Sequence, residues 1–323
     1  MNTSRCRRIL CMALLALAPA LGAAQEFPSK PVKIVVPFTA GSATDILART
    51  VGQKLNEMWN QSVVIENRPG AGGTIAAGAV AKSAPDGTTL MVHSSGHAAN
   101  AFIYSALPYD TLKDFVQVVP LAGQPNVLVT SPASGYKTVA DLIADAKKRP
   151  GAVNFGSAGI GSGTHFNAEK FKLAAGIDVI HVPYKGTPEA MTDTMAGRVA
   201  YFFSPISAAL PQVREGKLVA LAVSSAKRSS LLPNVPTVAE SGLPGFDYNL
   251  WVGVFAPAGT PNDVVDKINR SVNRVLAEAD VQARMTALGA EPMAMNPAEF
   301  DRFMRAEMDD AAKVVRTAGI KAQ

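Results

Sequence analysis

The chain has 323 residues, of which 48% are hydrophobic and 18% charged, and its formal net charge is +5. These fractions are typical of a globular protein. They exclude an intrinsically disordered chain and a collagen-like repeat. A chain of this length can bury a large core without disulfides or metals.

Residues 1–24 have the organisation of a secretory signal peptide. Three arginines precede an apolar run at residues 9–17, and small residues follow up to Ala24. This order of basic, apolar and small residues is the one that signal peptidase substrates share. The apolar run is too short for a permanent transmembrane helix. We therefore expect cleavage after Ala24 and export to the periplasm.

Cleavage at Ala24 changes what the composition implies. Both cysteines, Cys6 and Cys11, would be removed, so we expect no disulfide, no thiolate catalysis and no cysteine-based metal site. The three arginines would also leave, which takes the formal net charge from +5 to +2. No block of lysine and arginine follows, so we expect no nucleic-acid partner. No later apolar run is long enough to span a membrane.

The rest of the chain alternates short β-branched runs with amphipathic segments. Strands are predicted at residues 32–38, 63–65, 88–93, 126–132, 153–159, 179–184, 199–204, 218–225 and 251–259. Helices are predicted at residues 46–59, 139–151, 164–176, 188–198, 261–279 and 297–318. This alternation predicts an α/β fold built from parallel βαβ units. About 300 residues exceed the usual size of one such sheet and favour two α/β lobes.

Three loops of small residues follow predicted strands, at residues 38–45, 94–97 and 157–165. Ligands of open parallel sheets bind beyond the carboxyl ends of the strands. Helices that begin there offer free backbone N–H groups and the positive end of the helix dipole. One such loop could serve the turn alone, but three at equivalent positions favour a site for an anion.

Enzyme and metal motifs are weak. The run at residues 159–163 lacks the last glycine of a dinucleotide fingerprint, and no phosphate loop or nucleophile elbow is present. No zinc motif surrounds His93 and His97, so we expect neither a metal nor a cofactor. Ser162 and His165 could form a hydrolase pair, although no orienting acid accompanies them. His165 could instead donate to an anion or pack against its helix, and Asp45 favours a structural role at a helix start.

Longer segments resemble one family over the whole mature chain, in order. They are KPVKIVVPFTAGSATDILAR, VVIENRPGAGG, AKSAPDGTTL, LPYDTLKDF, FGSAGIGSGTHFNAEKF, IHVPYKGTPEAMTD, KLVALAVSSAKRSSLLPNVPTVAESGLPGF, WVGVFAPAGTP and LGAEP. The set is similar to the tripartite tricarboxylate transporter receptors, the Bug (TctC-like) family. Any one of these segments would be weak evidence, whereas the ordered set is specific.

The resemblance implies a type II periplasmic binding protein fold, with two α/β lobes joined by two crossover strands around a ligand cleft. Residues 25–124 and 248–323 would form lobe one, and residues 125–247 lobe two. The family binds small organic carboxylates through backbone amides, hydroxyls and waters. Carried over by position, the ligand-binding residues would be Phe38, Thr39, Ala40, Gly41, Ser42, Asp45, Ser94, Gly96, His97, Ser157, Gly161, Ser162, Thr164, His165, Tyr184, Phe203 and Ser204.

The resemblance also implies partners and a class of function. The chain would be an extracytoplasmic solute receptor and not an enzyme, and it would serve membrane permease subunits or a periplasmic sensor domain. We expect a monomer. Two departures concern the site, because Ser42 stands where the family often has glycine and Ser204 where it often has an acid. The alternatives are an exported serine hydrolase using Ser162 and His165, and a structural protein that binds no small molecule.

Overall fold

A computed structural model of the chain describes residues 27–320. The predicted signal peptide at residues 1–24, with Cys6 and Cys11, lies outside these residues. The strands are β1 (Val32–Val36), β2 (Val63–Asn67), β3 (Thr89–Ser94), β4 (Phe115–Thr130), β5 (Asn154–Ser157), β6 (Ile180–Pro183), β7 (Tyr201–Pro205), β8 (Val219–Val223), β9 (Asn249–Pro257) and β10 (Glu291–Pro292).

The helices alternate with these strands over most of the chain. They are α1 (Ala43–Trp59), α2 (Thr74–Ala81), α3 (Gly96–Ile103), α4 (Val139–Lys148), α5 (Gly163–Ala175), α6 (Thr187–Met195), α7 (Ile206–Arg214), α8 (Asn262–Leu276), α9 (Ala279–Ala287) and α10 (Pro297–Ala318). No helix within residues 27–320 combines the length and the apolar character that crossing a bilayer requires.

The strands form one sheet in the order β2-β1-β3-β9-β4-β7-β5-β6, with β8 and β10 also paired to β4. The predicted parallel units are present at both ends, where β1 pairs with β2 and β3, and β5 pairs with β6 and β7. The strands β4 and β9 differ, because they pair antiparallel with their neighbours. The chain runs out along β4 and returns along β9, so these two strands have opposite directions.

Strand β4 is much longer than its predicted counterpart at residues 126–132. Its first half contains Pro120 and Gly123, residues that normally argue against a strand interior. Two irregularities in the β4–β9 pairing, at 117–119 and 120–122, accommodate them. The first half pairs with β9 up to Pro125, and the second half pairs with β7 and β8 from Asn126 onward.

Four helices of the structure had no predicted counterpart: α2, α3, α7 and α9. Helices α2 and α3 have eight residues each and are buried along most of their length. Such short, buried segments show little polar and apolar periodicity, which is the signal that identifies a surface helix. Helix α7 contains Pro211, which argues against a helix in a sequence.

His97 lies in an aromatic cluster within the core. Its ring centre is 5.0 Å from those of His93 and Phe115 and 4.8 Å from that of Phe255. Both histidines are fully buried, and neither ring nitrogen of His97 has a hydrogen-bond partner among the described residues. Burial lowers the pKa of His93 to about 3, and burial beside His93 holds the pKa of His97 well below its usual range. Both side chains are therefore neutral at pH 7.

Stability should fall as the pH drops below about 6.5. In that range the unfolded chain takes up a proton at each histidine, whereas the folded chain keeps both rings neutral. Each histidine should reduce the free energy of unfolding by about 1.4 kcal/mol per pH unit. Urea unfolding at pH 7.5 and pH 5.5 would measure the loss, and His97→Phe should make it smaller by about 1.4 kcal/mol. An equal loss in both proteins would contradict this assignment.

Candidate ligand-binding cleft

Two loops with matching sequences and geometry follow β1 and β5. The first is TAGSATD at residues 39–45, and the second is GIGSGTH at residues 159–165. In each loop a glycine with positive φ directly precedes a serine, Gly41 with φ 82° and Gly161 with φ 80°. A serine follows with nearly the same backbone angles, φ −67° and ψ 158° at Ser42, and φ −67° and ψ 157° at Ser162.

Each serine is the N-cap of the helix that follows. The Ser42 hydroxyl accepts a hydrogen bond from the Asp45 N–H at 3.3 Å, and the Ser162 hydroxyl accepts one from the His165 N–H at 3.2 Å. Side chains that cap in this way satisfy one of the unpaired N–H groups at a helix start. Helices α1 and α5 therefore begin with the same geometry in the two loops.

Asp45 and His165 occupy equivalent positions and turn back into their own loops. The Gly41 N–H donates to the Asp45 carboxylate at 2.9 Å, and the Gly161 N–H donates to Nδ1 of His165 at 3.2 Å. Burial alone would raise the pKa of Asp45, but bonds from Arg49 and other donors hold that pKa below its usual value. Each side chain holds its own loop in place. Neither occupies the first two N–H groups of its helix.

The N–H groups at the start of each helix that the serine does not cap are the hydrogen-bond donors of the site. The first two N–H groups of a capped helix have no intrahelical partner. These belong to Ala43 and Thr44 in α1 and to Gly163 and Thr164 in α5. A third helix, α6, begins nearby at Thr187. Each helix start also carries the positive end of its dipole.

These three helix starts line one pocket, which we call the cleft. Its cavity has a volume of about 20 Å³, and no charged side chain from residues 27–320 lines it. The lining residues are Phe38, Ser42, Ala43, Thr44, Ser94, Ala158, Ser162, Gly163, Thr164, Thr187, Pro205 and Leu250. The arrangement can bind an anion through backbone N–H groups, hydroxyls and helix dipoles.

The walls of the cleft are in close contact. The Tyr104 hydroxyl donates to the carbonyl oxygen of Ile160 at 2.7 Å. A Cβ atom on Gly72 would overlap the Ile160 carbonyl oxygen, and one on Gly96 would overlap that of Gly161. Glycine is thus required at both positions for this separation of the walls.

Five predicted site residues line the cleft, and the others divide into two groups. Those in the cleft are Phe38, Ser42, Ser94, Ser162 and Thr164. Those in or beside the same loops are Thr39, Ala40, Gly41, Gly96, Ser157, Gly161 and Ser204. Those with side chains engaged elsewhere are Asp45, His97, His165, Tyr184 and Phe203.

The engaged side chains have specific partners. The Tyr184 hydroxyl donates to Asp193 at 2.6 Å. Phe203 is fully buried, and its ring centre is 5.3 Å from that of Phe171. Ser204 is also fully buried, with its hydroxyl directed to the carbonyl oxygen of Pro205. Pro205, and not Ser204, therefore presents this strand end to the cleft.

Sequence reasoning missed seven lining residues. Ala43, Gly163 and Thr187 could have been found, since each is the first residue of a helix that begins beyond a predicted strand. Leu250 gave no comparable signal, because it lies on β9, far along the chain from the loops it contacts. The fully buried Ser157 hydroxyl is 2.6 Å from Nε2 of His181, a contact that was also missed.

The geometry does not support a Ser162–His165 hydrolase. Nδ1 of His165 accepts from the Gly161 N–H, and Nε2 lies 3.6 Å from Glu169. The Ser162 hydroxyl accepts its hydrogen bond from the backbone N–H of His165 and not from the His165 ring. A nucleophile needs a base within hydrogen-bond reach. Both ring nitrogens of His165 face other groups.

Comparisons with known proteins identify the family. A family model described as the tripartite tricarboxylate transporter family receptor matches residues 47–320. The chain belongs to this family. The protein BugT of Bordetella pertussis is 38% identical over 300 residues, which cover 92% of this chain and 92% of BugT.

Solved structures of similar proteins give the same fold. Rpa4515 of R. palustris, solved with adipate, has a TM-score of 0.89 and 37% identity, and the match covers 92% of this chain and 100% of that one. MatC of Rhodopseudomonas palustris, solved with malate, has a TM-score of 0.85 and 35% identity, covering 90% and 100%. The predicted periplasmic binding protein fold is confirmed.

The two capping serines can be tested directly. Ser42→Ala and Ser162→Ala should each lower the free energy of unfolding by about 1 kcal/mol, because each leaves a helix-start N–H unsatisfied. Replacement by glycine, which is tolerated at N-caps, should lower it by only a few tenths of that amount. Urea unfolding without added ligand measures both effects. An alanine variant as stable as its parent would show that the serine does not cap.

Proposed function

We propose that the chain is an extracytoplasmic solute receptor that binds a small organic carboxylate in the cleft, for delivery to a tripartite tricarboxylate-type membrane transporter. The observation that carries the proposal is the meeting of three helix starts at one pocket without a charged side chain. Free N–H groups and helix dipoles favour a negative ligand group. Family membership and the receptors solved with adipate and malate support this reading.

The binding groups in this proposal are mainly backbone N–H donors. Ala43 and Thr44 would donate from one side, and Gly163 and Thr164 from the other. The hydroxyls of Ser94 and Thr187 add polar groups at the rim. A dicarboxylate suits this arrangement, because each of the two matching loops can receive one carboxylate. Phe38 and Leu250 would contact the carbon chain between them.

Opening and closing of the cleft would admit and retain the ligand. A cavity of about 20 Å³ has room for about one water molecule. The walls must therefore separate before a carboxylate can enter. We propose a hinge closure of two lobes, residues 25–124 with 248–323 and residues 125–247. The change of partners along β4, between Pro125 and Asn126, supports these boundaries.

Location and partners follow from the same proposal. Residues 1–24 would direct export and be cleaved, leaving a monomeric receptor in the periplasm. Membrane permease subunits or a periplasmic sensor domain would recognise the closed form. The receptor would release its ligand unchanged, and the ring nitrogens of His165 support this absence of catalysis because they do not contact Ser162.

Thermal unfolding of residues 25–323 against a panel of acids tests the proposal. The panel contains dicarboxylates, tricarboxylates, aromatic acids and acidic amino acids, each compared with its amide. A ligand at 100 times its Kd should add about 2.7 kcal/mol of stability. In a protein of this size that corresponds to a shift of a few degrees. Shifts that are absent, or equal for acid and amide, would contradict carboxylate binding.

Gly96→Ala should weaken carboxylate binding without touching the ligand. The added Cβ would collide with the Gly161 carbonyl oxygen only when the walls meet, so the variant should remain open. We expect at least a tenfold rise in Kd by calorimetry for the acid with the largest thermal shift. The radius of gyration with that acid should also be larger than for the parent.

Gly156→Ala is the matched control. Gly156 has an ordinary φ, and its added Cβ would meet neighbours at 3.5 Å, an ordinary contact distance. This variant should bind with the parent's affinity. A Gly96→Ala variant that also binds as the parent does would show that this contact has no part in closure.

A further inference from the structure

A second cavity lies on the other face of β9 from the cleft. Successive residues of a strand point to opposite faces, so Leu250 lines the cleft whereas Trp251 lines this second space. Its volume is about 290 Å³, against about 20 Å³ for the cleft. We call it the rear cavity. Its walls include Phe166, Lys170, Tyr248, Trp251, Phe303 and Glu307.

Among the described residues, four aromatic side chains line this cavity, together with four charged ones. Trp251 and Phe303 meet edge to face with ring centres 5.4 Å apart, and Phe166 and Tyr248 lie 6.0 Å apart. The rings come from α5, α10 and the start of β9. Aromatic faces attract organic cations through the ring quadrupole, and tryptophan does so most strongly.

Glu307 is the acid that stands among these rings. Its carboxylate accepts a hydrogen bond from the Trp251 indole N–H at 2.7 Å. Lys170 lies in the same wall, but its ammonium pairs with Asp310 at 3.6 Å. Asp247, also in the wall, accepts the N–H of Ala226 at 2.9 Å. Acidic side chains therefore outnumber the single lysine.

The surroundings of Glu307 disfavour the ionised form of its carboxyl group. Burial raises the pKa of Glu307, and the neighbouring Asp310 acts in the same direction; together they outweigh the opposite effects of the Trp251 hydrogen bond and of Lys170. A cation close to this carboxylate would offset both effects. A hard metal ion is a poor match, because Mg²⁺ and Ca²⁺ need about six oxygen ligands and the carboxylates of Asp247 and Asp310 already have partners.

We infer that the rear cavity is a second ligand site, for a small organic ammonium ion. The rings of Trp251 and Phe303 contact its alkyl groups, and the Glu307 carboxylate pairs with its charge. A concave pocket that combines aromatic side chains with a few polar or charged groups is a common form of small-molecule site. The cleft and the rear cavity thus take ligands of opposite charge.

Tryptophan fluorescence can observe this site by itself. The chain has two tryptophans, Trp59 and Trp251, so Trp59→Phe leaves Trp251 as the single reporter. Choline and tetramethylammonium chloride are titrated into residues 25–323 carrying this change, with potassium chloride and magnesium chloride at equal ionic strength. We expect a saturable change in Trp251 emission with the ammonium ions and none with the metal salts.

Glu307→Gln should raise the Kd for choline at least tenfold, since it removes the charge but keeps an oxygen that can accept from Trp251. Phe303→Leu should weaken binding as well and gives a second test if Glu307→Gln does not fold. Asp309→Asn removes a charge from an exposed residue of the same helix and should leave the Kd within twofold.

No saturable response, or an equal Kd for Glu307→Gln and its parent, would overturn the inference. The titration contains no carboxylate, so its failure is distinct from a failure of the proposed function. The acid panel in turn does not depend on Glu307. Each site therefore stands or falls on its own measurement.

Discussion

The cleft depends on a turn that occurs twice, a glycine with positive φ followed by a serine that caps a helix. Gly41 and Gly161 turn the chain, and Ser42 and Ser162 take up the N–H of the third helical residue. The first two N–H groups of each helix are then left as fixed donors. A binding site for an anion results without a basic side chain, whose charge would have to be desolvated on closure.

The long strand β4 explains why the two loops face each other. One half of β4 belongs to the pairing with β9, and the other half to the pairing with β7 and β8. Each loop follows a strand that lies next to an edge of the same sheet, β1 near one edge and β5 near the other. The antiparallel β4 and β9 lie between these two strands. Strand β4 continues from one parallel unit into the other, whereas β9, within residues 27–320, pairs only with β3 and with the first half of β4. Rotation about β4 would separate or join the loops without unfolding either unit.

The parts of the site that could be predicted are local in sequence. Small residues after a strand identified the loops around Ser42 and Ser162, and strand and helix periodicity identified most elements. The first half of β4 was missed because Pro120 and Gly123 are tolerated there only through irregular pairing with β9. His97 was predicted to be a site residue from its position in the sequence. In the structure its ring packs in the core against Phe255, which is distant in sequence. Contacts of this kind depend on tertiary packing, which a local pattern does not contain.

Helix α5 connects the two cavities physically. Its first residues, Gly163 and Thr164, line the cleft, and Phe166 and Lys170, about one and two turns later, line the rear cavity. In the hinge closure proposed above, a rotation that moves the start of α5 toward α1 would also change the distance between α5 and α10. A ligand in either cavity would then bias this motion to the extent that it binds one arrangement more tightly than the other. Binding free energies are reciprocal, so an ammonium ion that tightens carboxylate binding must itself bind more tightly, by the same factor, when the carboxylate is present.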